Sequence, residues 1–284
     1  LTAFEIHSFL IAPVDDLVAN MDDQYELLKS IPKSPTYTLQ QVWSRADKLA
    51  DSSQIGCYRG YYFVNGQQEL VWQRLRAYGN GLKREKKIRL WLLPARHLPF
   101  IRGIALAGSQ ALGMHRPESD IDLLIITDNN YLWLARTLLT AYFQILGVRR
   151  YGAKIANRFC LNHYLAKPRL VDAERNLYKA MEYAKLRPVI YPNVIAQFQR
   201  ANLAWIKDFF PNFEVLPNFE YKQSLLQKCL EQLFTNSIGS WLETKLKKWQ
   251  LSRIKTDKFI FVREDELSFH PASKHEKLLQ GFFG

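Results

Sequence analysis

The stretch that decides the fold runs from residue 104 to residue 127 and reads IALAGSQALGMHRPESDIDLLIIT. An apolar run leads into Gly108 and Ser109, a polar segment follows, and a second apolar run begins with Asp-Ile-Asp at residues 120–122. Short apolar runs bounded by turn residues are typical of buried strands. The pattern therefore predicts a strand, a tight turn, a polar loop and a second strand.

The two carboxylates at the start of the second strand indicate a metal site. Successive strand residues point to opposite faces of a sheet, so Asp120 and Asp122 share one face and Ile121 takes the other. Two neighbouring carboxylates repel each other, and a divalent cation with a preference for oxygen ligands, such as Mg²⁺, removes that cost. The turn at Gly108 and Ser109 offers free backbone N–H groups and a hydroxyl, which suit a phosphate chain.

This arrangement resembles the nucleotidyltransferase fold shared by polymerase beta and aminoglycoside nucleotidyltransferases. The resemblance lies in Gly108 and Ser109, about ten intervening residues, Asp120 and Asp122, and the buried run at residues 123–126. It implies an α+β fold with a mixed sheet, Mg²⁺ or Mn²⁺ as cofactor and a nucleoside triphosphate as substrate. The two aspartates would be the catalytic metal ligands, and the Gly-Ser turn would bind the β and γ phosphates. The alternative is a generic βαβ unit with an acidic pair on its surface.

One strand departs from the pattern of that family. Relatives usually carry a third carboxylate on the next strand, which the sequence predicts at residues 158–165. Alternation puts Cys160, Asn162 and Tyr164 on one face of this strand, and Asn162 is the position expected to meet the aspartates. An amide can ligate weakly but cannot accept a proton at neutral pH. Asn162 is therefore an expected nucleotide- or metal-binding residue but not a base.

Further candidate ligands lie in the polar loop, where His115 and Arg116 could contact phosphate. His163 would point away from Asn162 on an ideal strand, so we expect a packed or surface histidine.

Composition sets outer limits on the function. A chain of 284 residues can hold two or three modest domains, and its formal net charge of +12 favours anionic partners such as nucleotides, DNA or RNA. The three cysteines are widely spaced and fit neither a disulfide framework nor a zinc motif. No apolar run is long enough for a bilayer span and no signal peptide is visible, so we expect no membrane association and a cytoplasmic location.

We predict four regions along the chain. Residues 1–66 read as three helices and a hairpin: the first helix begins at a capping box at Thr2, the second lies around residues 14–30, and the third begins at a capping box at Thr38. This order of elements resembles a winged-helix domain that would bind DNA or a protein. Residues 67–98 form a helical connector with a kink or break near Gly79 and Gly81. Residues 99–171 form the nucleotidyltransferase core, in which a helix at residues 131–146 follows the second strand. Residues 172–284 form a helical C-terminal region. The whole layout resembles prokaryotic nucleotidyltransferase-domain proteins with a winged-helix-like start.

Two basic runs, residues 83–89 and 245–258, are interpreted as solvated helix faces, with a phosphate or nucleic-acid surface as the alternative.

Three functions remain open from the sequence. The first is an enzyme that transfers a nucleoside monophosphate from a nucleoside triphosphate to an acceptor hydroxyl. The second is a catalytically impaired relative that binds nucleotide or nucleic acid as a regulatory module, motivated by Asn162 and the positive charge. The third is a toxin-like enzyme that modifies tRNA or protein.

Overall fold

A computed structural model of the chain describes residues 1–10, 36–113, 118–167, 175, 177–217, 220–254 and 261–269. By the density of its contacts the chain divides into two compact units. The first comprises residues 1–80, 173–184 and 199–216, and the second comprises residues 81–172, 185–198 and 217–284. None of the helices in the described ranges has the length and apolar character needed to cross a membrane.

The first unit contains short helices and a hairpin near the N-terminus. Helix α1 (Ala3–Ser8) and helix α2 (Leu39–Asp51) both begin with the predicted capping box, at Thr2 and at Thr38. The predicted hairpin is present as β1 (Gly56–Tyr58) and β2 (Tyr61–Phe63). The helix predicted around residues 14–30 lies outside the described residues, so the winged-helix-like layout stays a prediction.

Helix α3 (Glu69–Leu92) includes Gly79 and Gly81, so the predicted break there is wrong, while the alternative of a kink stays a prediction. Each glycine costs a helix only about 1 kcal/mol relative to alanine. The helix is fixed on both sides of the glycines, since Val71 before them and Leu92 after them are buried. Packing therefore outweighs the weak local propensity.

The second unit contains a six-stranded mixed sheet in the order β6-β3-β4-β5-β8-β7. Strands β4 and β5 run parallel, and every other neighbouring pair is antiparallel. The strands are β3 (Ile101–Leu106), β4 (Ile121–Thr127), β5 (Phe159–Ala166), β6 (Arg187–Ile190), β7 (Phe261–Val262) and β8 (Glu266–Ser268). The predicted α+β class with a mixed-sheet core is confirmed.

The remaining helices are divided between the two units. A single helical turn, α4 (Gly108–Ala111), follows β3, and α5 (Leu132–Ile145) connects the parallel strands β4 and β5. The later helices are α6 (Leu177–Ala184), α7 (Pro192–Phe209), α8 (Leu225–Gln232) and α9 (Ser237–Leu251). A short 3₁₀ helix, Leu93–His97, precedes β3.

Strands β6, β7 and β8 come from the segment predicted to be helical, and the sequence analysis missed them. They are only four, two and three residues long, and β6 contains Pro188, which lacks the N–H group of a central strand residue. Such short strands are stabilised by pairing with neighbouring strands of the sheet, and local sequence patterns carry little trace of that pairing.

The central strand and its crossover helix form the core that holds the site. Every residue of β4 is buried. The ring of Phe143 on α5 stacks on Phe159 at the start of β5, with 4.5 Å between the ring centroids. The N–H groups of Trp133 and Leu134 donate to the Glu243 carboxylate at 2.8 and 2.7 Å, so helix α9 caps the N-terminus of α5.

Candidate metal and nucleotide site

The two predicted aspartates lie at the entrance of the central strand. Asp120 immediately precedes β4, and Asp122 is its second residue and is buried. Their carboxylates and the Cys160 thiol each offer one ligand atom, and these three atoms all lie within 4.8 Å of one another. The prediction that the aspartates share one face of the strand is confirmed. Cys160 was predicted on the face of β5 that meets them but was not named as a ligand.

Cys160 lies beside Asp122 because the two residues are paired at the start of the parallel strands, and a bulge in β5 follows Cys160. In the parallel pairing Asp122 lies opposite Cys160, whereas Leu124 lies opposite His163, so three steps on β5 match two steps on β4. The bulge also explains why Phe159 and Tyr164 both face α5: Phe159 stacks on Phe143, and the Arg136 guanidinium lies 5.9 Å from the centre of the Tyr164 ring. The prediction that Tyr164 shares a face with Cys160 is therefore wrong.

Gly108 lies close against the Asp122 carboxylate. It has a φ of +59°, which favours glycine, and a Cβ built on it would lie 2.6 Å from Asp122 Oδ2. The neighbouring Ala107 N–H donates to the Asp122 carbonyl at 3.0 Å. The predicted Gly-Ser turn is thus the first half of the single helical turn α4, with Ser109 partly exposed as its second residue.

Arg84 positions the approach to the aspartates. Its guanidinium Nη2 donates to the Ser119 carbonyl at 2.7 Å and to the Asp120 carbonyl at 3.3 Å. Burial lowers the pKa of Arg84, against the opposing charges of Asp120 and Asp122. The basic run at 83–89 is therefore not a uniform solvated face, since Arg84 is buried while Lys83, Lys86, Lys87 and Arg89 are exposed.

Arg150 brings a positive charge to the same cluster. Its Nη1 forms an ion pair with Asp120 Oδ2 and donates to the Cys160 Sγ at 3.5 Å. Burial alone would lower the pKa of Arg150, but the interactions with Cys160 and Asp120 outweigh it and raise that pKa. A guanidinium thus contacts two of the three ligand groups.

The thiol is held in its neutral form by its surroundings. Burial first, and then the charges of Asp122 and Asp120, raise the pKa of Cys160 to about 12. The thiolate is the form that binds metals, so a bound cation would have to displace the thiol proton.

The remaining predicted ligands are placed less fully. His115 and Arg116 belong to residues 114–117, outside the described part of the chain. The backbone of Asn162 lies in β5, but its side chain is outside that part too. His163 is a packed residue, buried with its Nε2 3.5 Å from the Glu266 carboxylate.

A comparison with protein-family models matches residues 87–198 to the nucleotidyltransferase domain. This segment is a nucleotidyltransferase domain of the polymerase-beta-type superfamily. The match begins inside α3 and ends inside α7, so it includes the whole run from β3 to β6. Comparisons with curated proteins and with solved structures gave no match.

The domain implies a nucleoside triphosphate and a divalent metal, and the residues present fit such a metal. Asp120 and Asp122 provide the hard oxygen ligands that Mg²⁺ and Mn²⁺ prefer. Because Gly108 has no side chain, the space beside Asp122 Oδ2 stays open. Cys160 adds a softer sulfur donor within reach of the same point.

Proposed function

We propose that the chain is a magnesium-dependent nucleotidyltransferase that moves a nucleoside monophosphate from a nucleoside triphosphate to an acceptor hydroxyl. The acceptor hydroxyl would attack the α-phosphorus, pyrophosphate would leave, and the hydroxyl proton would pass to solvent. The observation that carries the proposal is the convergence of Asp120, Asp122 and Gly108 at one point of a nucleotidyltransferase domain.

In this proposal Asp120 and Asp122 hold Mg²⁺ or Mn²⁺. The bound ion would supply charge neutralisation for the triphosphate and for an in-line displacement. Arg84 would hold the backbone at Asp120 in place, through its hydrogen bonds to the carbonyls of Ser119 and Asp120. Catalysis would then consist mainly of positioning and electrostatic stabilisation.

The triphosphate would lie against the glycine turn. The first N–H groups of a helical turn lack internal acceptors, and at α4 these belong to Gly108 and its neighbours, with the Ser109 hydroxyl beside them. Arg116 and Asn162 are proposed as further nucleotide contacts from their places in the sequence. Arg150 is a cation at the same cluster and would exchange its ion pair with Asp120 for a phosphate oxygen.

The acceptor would be a nucleic acid, a protein or a small molecule that carries a hydroxyl. The net charge of +12 supports an anionic acceptor such as DNA or RNA. All three cysteines are free thiols, and we propose a reducing, cytoplasmic setting in which Cys160 stays available to the site.

A second candidate is a regulatory module that binds nucleotide or nucleic acid without turnover. It is motivated by Asn162 at the position where relatives usually carry a third carboxylate, because an amide cannot accept a proton at neutral pH, and by the net charge of +12. Salt-sensitive binding of RNA or DNA without turnover of any triphosphate would support this candidate.

The experiment that separates the two uses each α-labelled triphosphate with Mg²⁺ or Mn²⁺ and total cellular RNA or lysate. The enzyme proposal expects label transferred to an acceptor class, and loss of that transfer in the double variant Asp120→Ala/Asp122→Ala. Transfer that persists in the double variant would rule out this site as its source. An exposed pair replaced in the same way, Asp51→Ala/Glu264→Ala, is the matched control.

A further inference from the structure

Cys160 differs from the other two cysteines of the chain in its surroundings. Cys57 and Cys229 are exposed, whereas Cys160 is partly buried and shares a cluster with two carboxylates. The parallel pairing of β4 and β5 places it directly opposite Asp122, so its position is fixed by two sheet strands. Its sulfur therefore occupies a defined place beside the aspartates.

The Asp120 carboxylate and the Cys160 thiol already contact one positively charged side chain. The Arg150 guanidinium contacts Asp120 Oδ2 and the Cys160 Sγ together, which shows that the carboxylate and the sulfur can face one positive centre. The three ligand atoms lie within 4.8 Å of one another. Metal–oxygen bonds of about 2.0–2.2 Å and metal–sulfur bonds of about 2.3 Å are compatible with such separations.

We propose that Cys160 is a direct ligand of the divalent cation held by Asp120 and Asp122, and that it shifts the preference of the site toward softer ions such as Co²⁺, Zn²⁺ and Cd²⁺. This inference rests on the metal site of the proposed function. Two carboxylates alone suit Mg²⁺ and Mn²⁺, while a thiolate ligand favours borderline and soft ions. As the metal–sulfur bond forms, the thiol proton is released to solvent and no electrons are transferred.

A consequence concerns competition between metals. The site would still accept Mg²⁺ through its two carboxylates, but a softer ion would gain an additional bond that Mg²⁺ does not favour. The ratio of Cd²⁺ affinity to Mg²⁺ affinity is therefore the quantity that Cys160 controls. Replacing even outer partners of a metal ligand typically costs about 10–100-fold in affinity, so removing the sulfur should lower this ratio by at least roughly tenfold.

The test is a titration of the full chain, stripped with a chelator, with Cd²⁺ and with Co²⁺. Binding through a thiolate produces a thiolate-to-metal charge-transfer absorption band that carboxylates do not give. The double variant Cys57→Ser/Cys229→Ser retains only Cys160, so a band in this variant must come from that residue. Calorimetry on the same proteins gives the Cd²⁺ and Mg²⁺ affinities.

We expect the band in the wild type and in the double variant, and its loss in Cys160→Ser together with a lower Cd²⁺-to-Mg²⁺ affinity ratio. No band in the double variant, whether or not Cd²⁺ binds, overturns the proposal. A band without any nucleotide transfer leaves this inference standing while the proposed function fails. Mg²⁺-dependent transfer without a band supports the proposed function and overturns this inference.

Discussion

At the scale of single residues, Gly108 is the point where backbone conformation and site chemistry coincide. Its positive φ and its close approach to Asp122 Oδ2 both require the absence of a side chain. We predict that Gly108→Ala destabilises the fold by about 1–3 kcal/mol and weakens divalent metal binding, because the methyl group would push the Asp122 carboxylate aside. Chemical denaturation and metal titration measure the two effects.

The matched control is the same substitution at a second glycine. A Cβ built on Gly79, in helix α3, would meet nothing within 4 Å. Gly79→Ala should therefore stabilise the fold by up to about 1 kcal/mol and leave metal binding unchanged. Equal effects of the two substitutions would contradict the role assigned to Gly108.

Arg150 gives a second prediction at this scale. Because its guanidinium pairs with Asp120 and Cys160, it competes with a metal when no nucleotide is bound. Arg150→Ala should raise the affinity for Mn²⁺ or Cd²⁺ several-fold, since an ion pair of this exposure is worth up to about 1 kcal/mol. The same substitution should lower the affinity for a nucleoside triphosphate.

Arg149→Ala is the control for this change, because Arg149 lies next to Arg150 but its Nη1 donates to Gln144 at 3.4 Å instead. Metal affinity that rises equally in both variants would point to a general charge effect and would contradict the local competition.

The sequence predicts only part of this site, for a physical reason. Asp120, Asp122 and Gly108 belong to one continuous strand-turn-strand stretch, where alternation alone decides which side chains meet. Cys160 joins them through the pairing of β5 with β4, and Arg84 through a helix that comes earlier in the chain. Alternation put Cys160 on the face that meets the aspartates, but neither the register that sets it opposite Asp122 nor the contact of a distant helix leaves a signal in local sequence periodicity.

At the scale of elements, a charged network holds helix α8 against the start of β3. Glu231 accepts hydrogen bonds from Arg102 Nη1 at 2.6 Å and from the Phe100 N–H at 2.7 Å. Arg102 also pairs with Asp128 at 3.0 Å. Burial alone would raise the pKa of Glu231, but these hydrogen bonds outweigh it and lower that pKa.

We predict that Glu231→Gln costs about 1–3 kcal/mol of unfolding free energy at pH 7, because a charged acceptor of several hydrogen bonds is lost. A lowered pKa in the folded state contributes stability above the usual glutamate value of 4.5 that is lost as the pH falls through the folded value. The difference in unfolding free energy between wild type and variant should therefore shrink as the pH falls from 4.5 through the lowered pKa of Glu231 in the folded state. Urea denaturation at several pH values measures it.

Glu264→Gln serves as the control, since Glu264 pairs with Lys247 but its side chain is 92% exposed. We expect no measurable change in stability there at any pH. A difference for Glu231→Gln that is the same at pH 7 and at acid pH would contradict the lowered pKa.

Elements with strong local signals were the predictable ones. The capping boxes at Thr2 and Thr38, the strands β3 and β4 and the helix α5 were all expected from the sequence. The prediction of a break in α3 was wrong because tertiary packing outweighs the small free-energy cost of each glycine in a helix. The short strands β6 and β8 were missed because they depend on β3 and β5 as partners.

At the scale of the whole molecule, the account joins a nucleotidyltransferase domain at residues 87–198 to a chain with a net charge of +12. In the proposed function the domain would supply the metal and triphosphate site, and the charge supports an anionic substrate or acceptor. The central claim is that this site transfers a nucleoside monophosphate to an acceptor.

The most direct test compares triphosphate labelled at the α-phosphorus with the same triphosphate labelled at the γ-phosphorus, using one acceptor preparation and Mg²⁺ or Mn²⁺. The account predicts that the acceptor gains the α label, that the γ label leaves as pyrophosphate, and that Asp122→Asn abolishes both. Transfer of the γ label to the acceptor, or α-label transfer unchanged in Asp122→Asn, would contradict it.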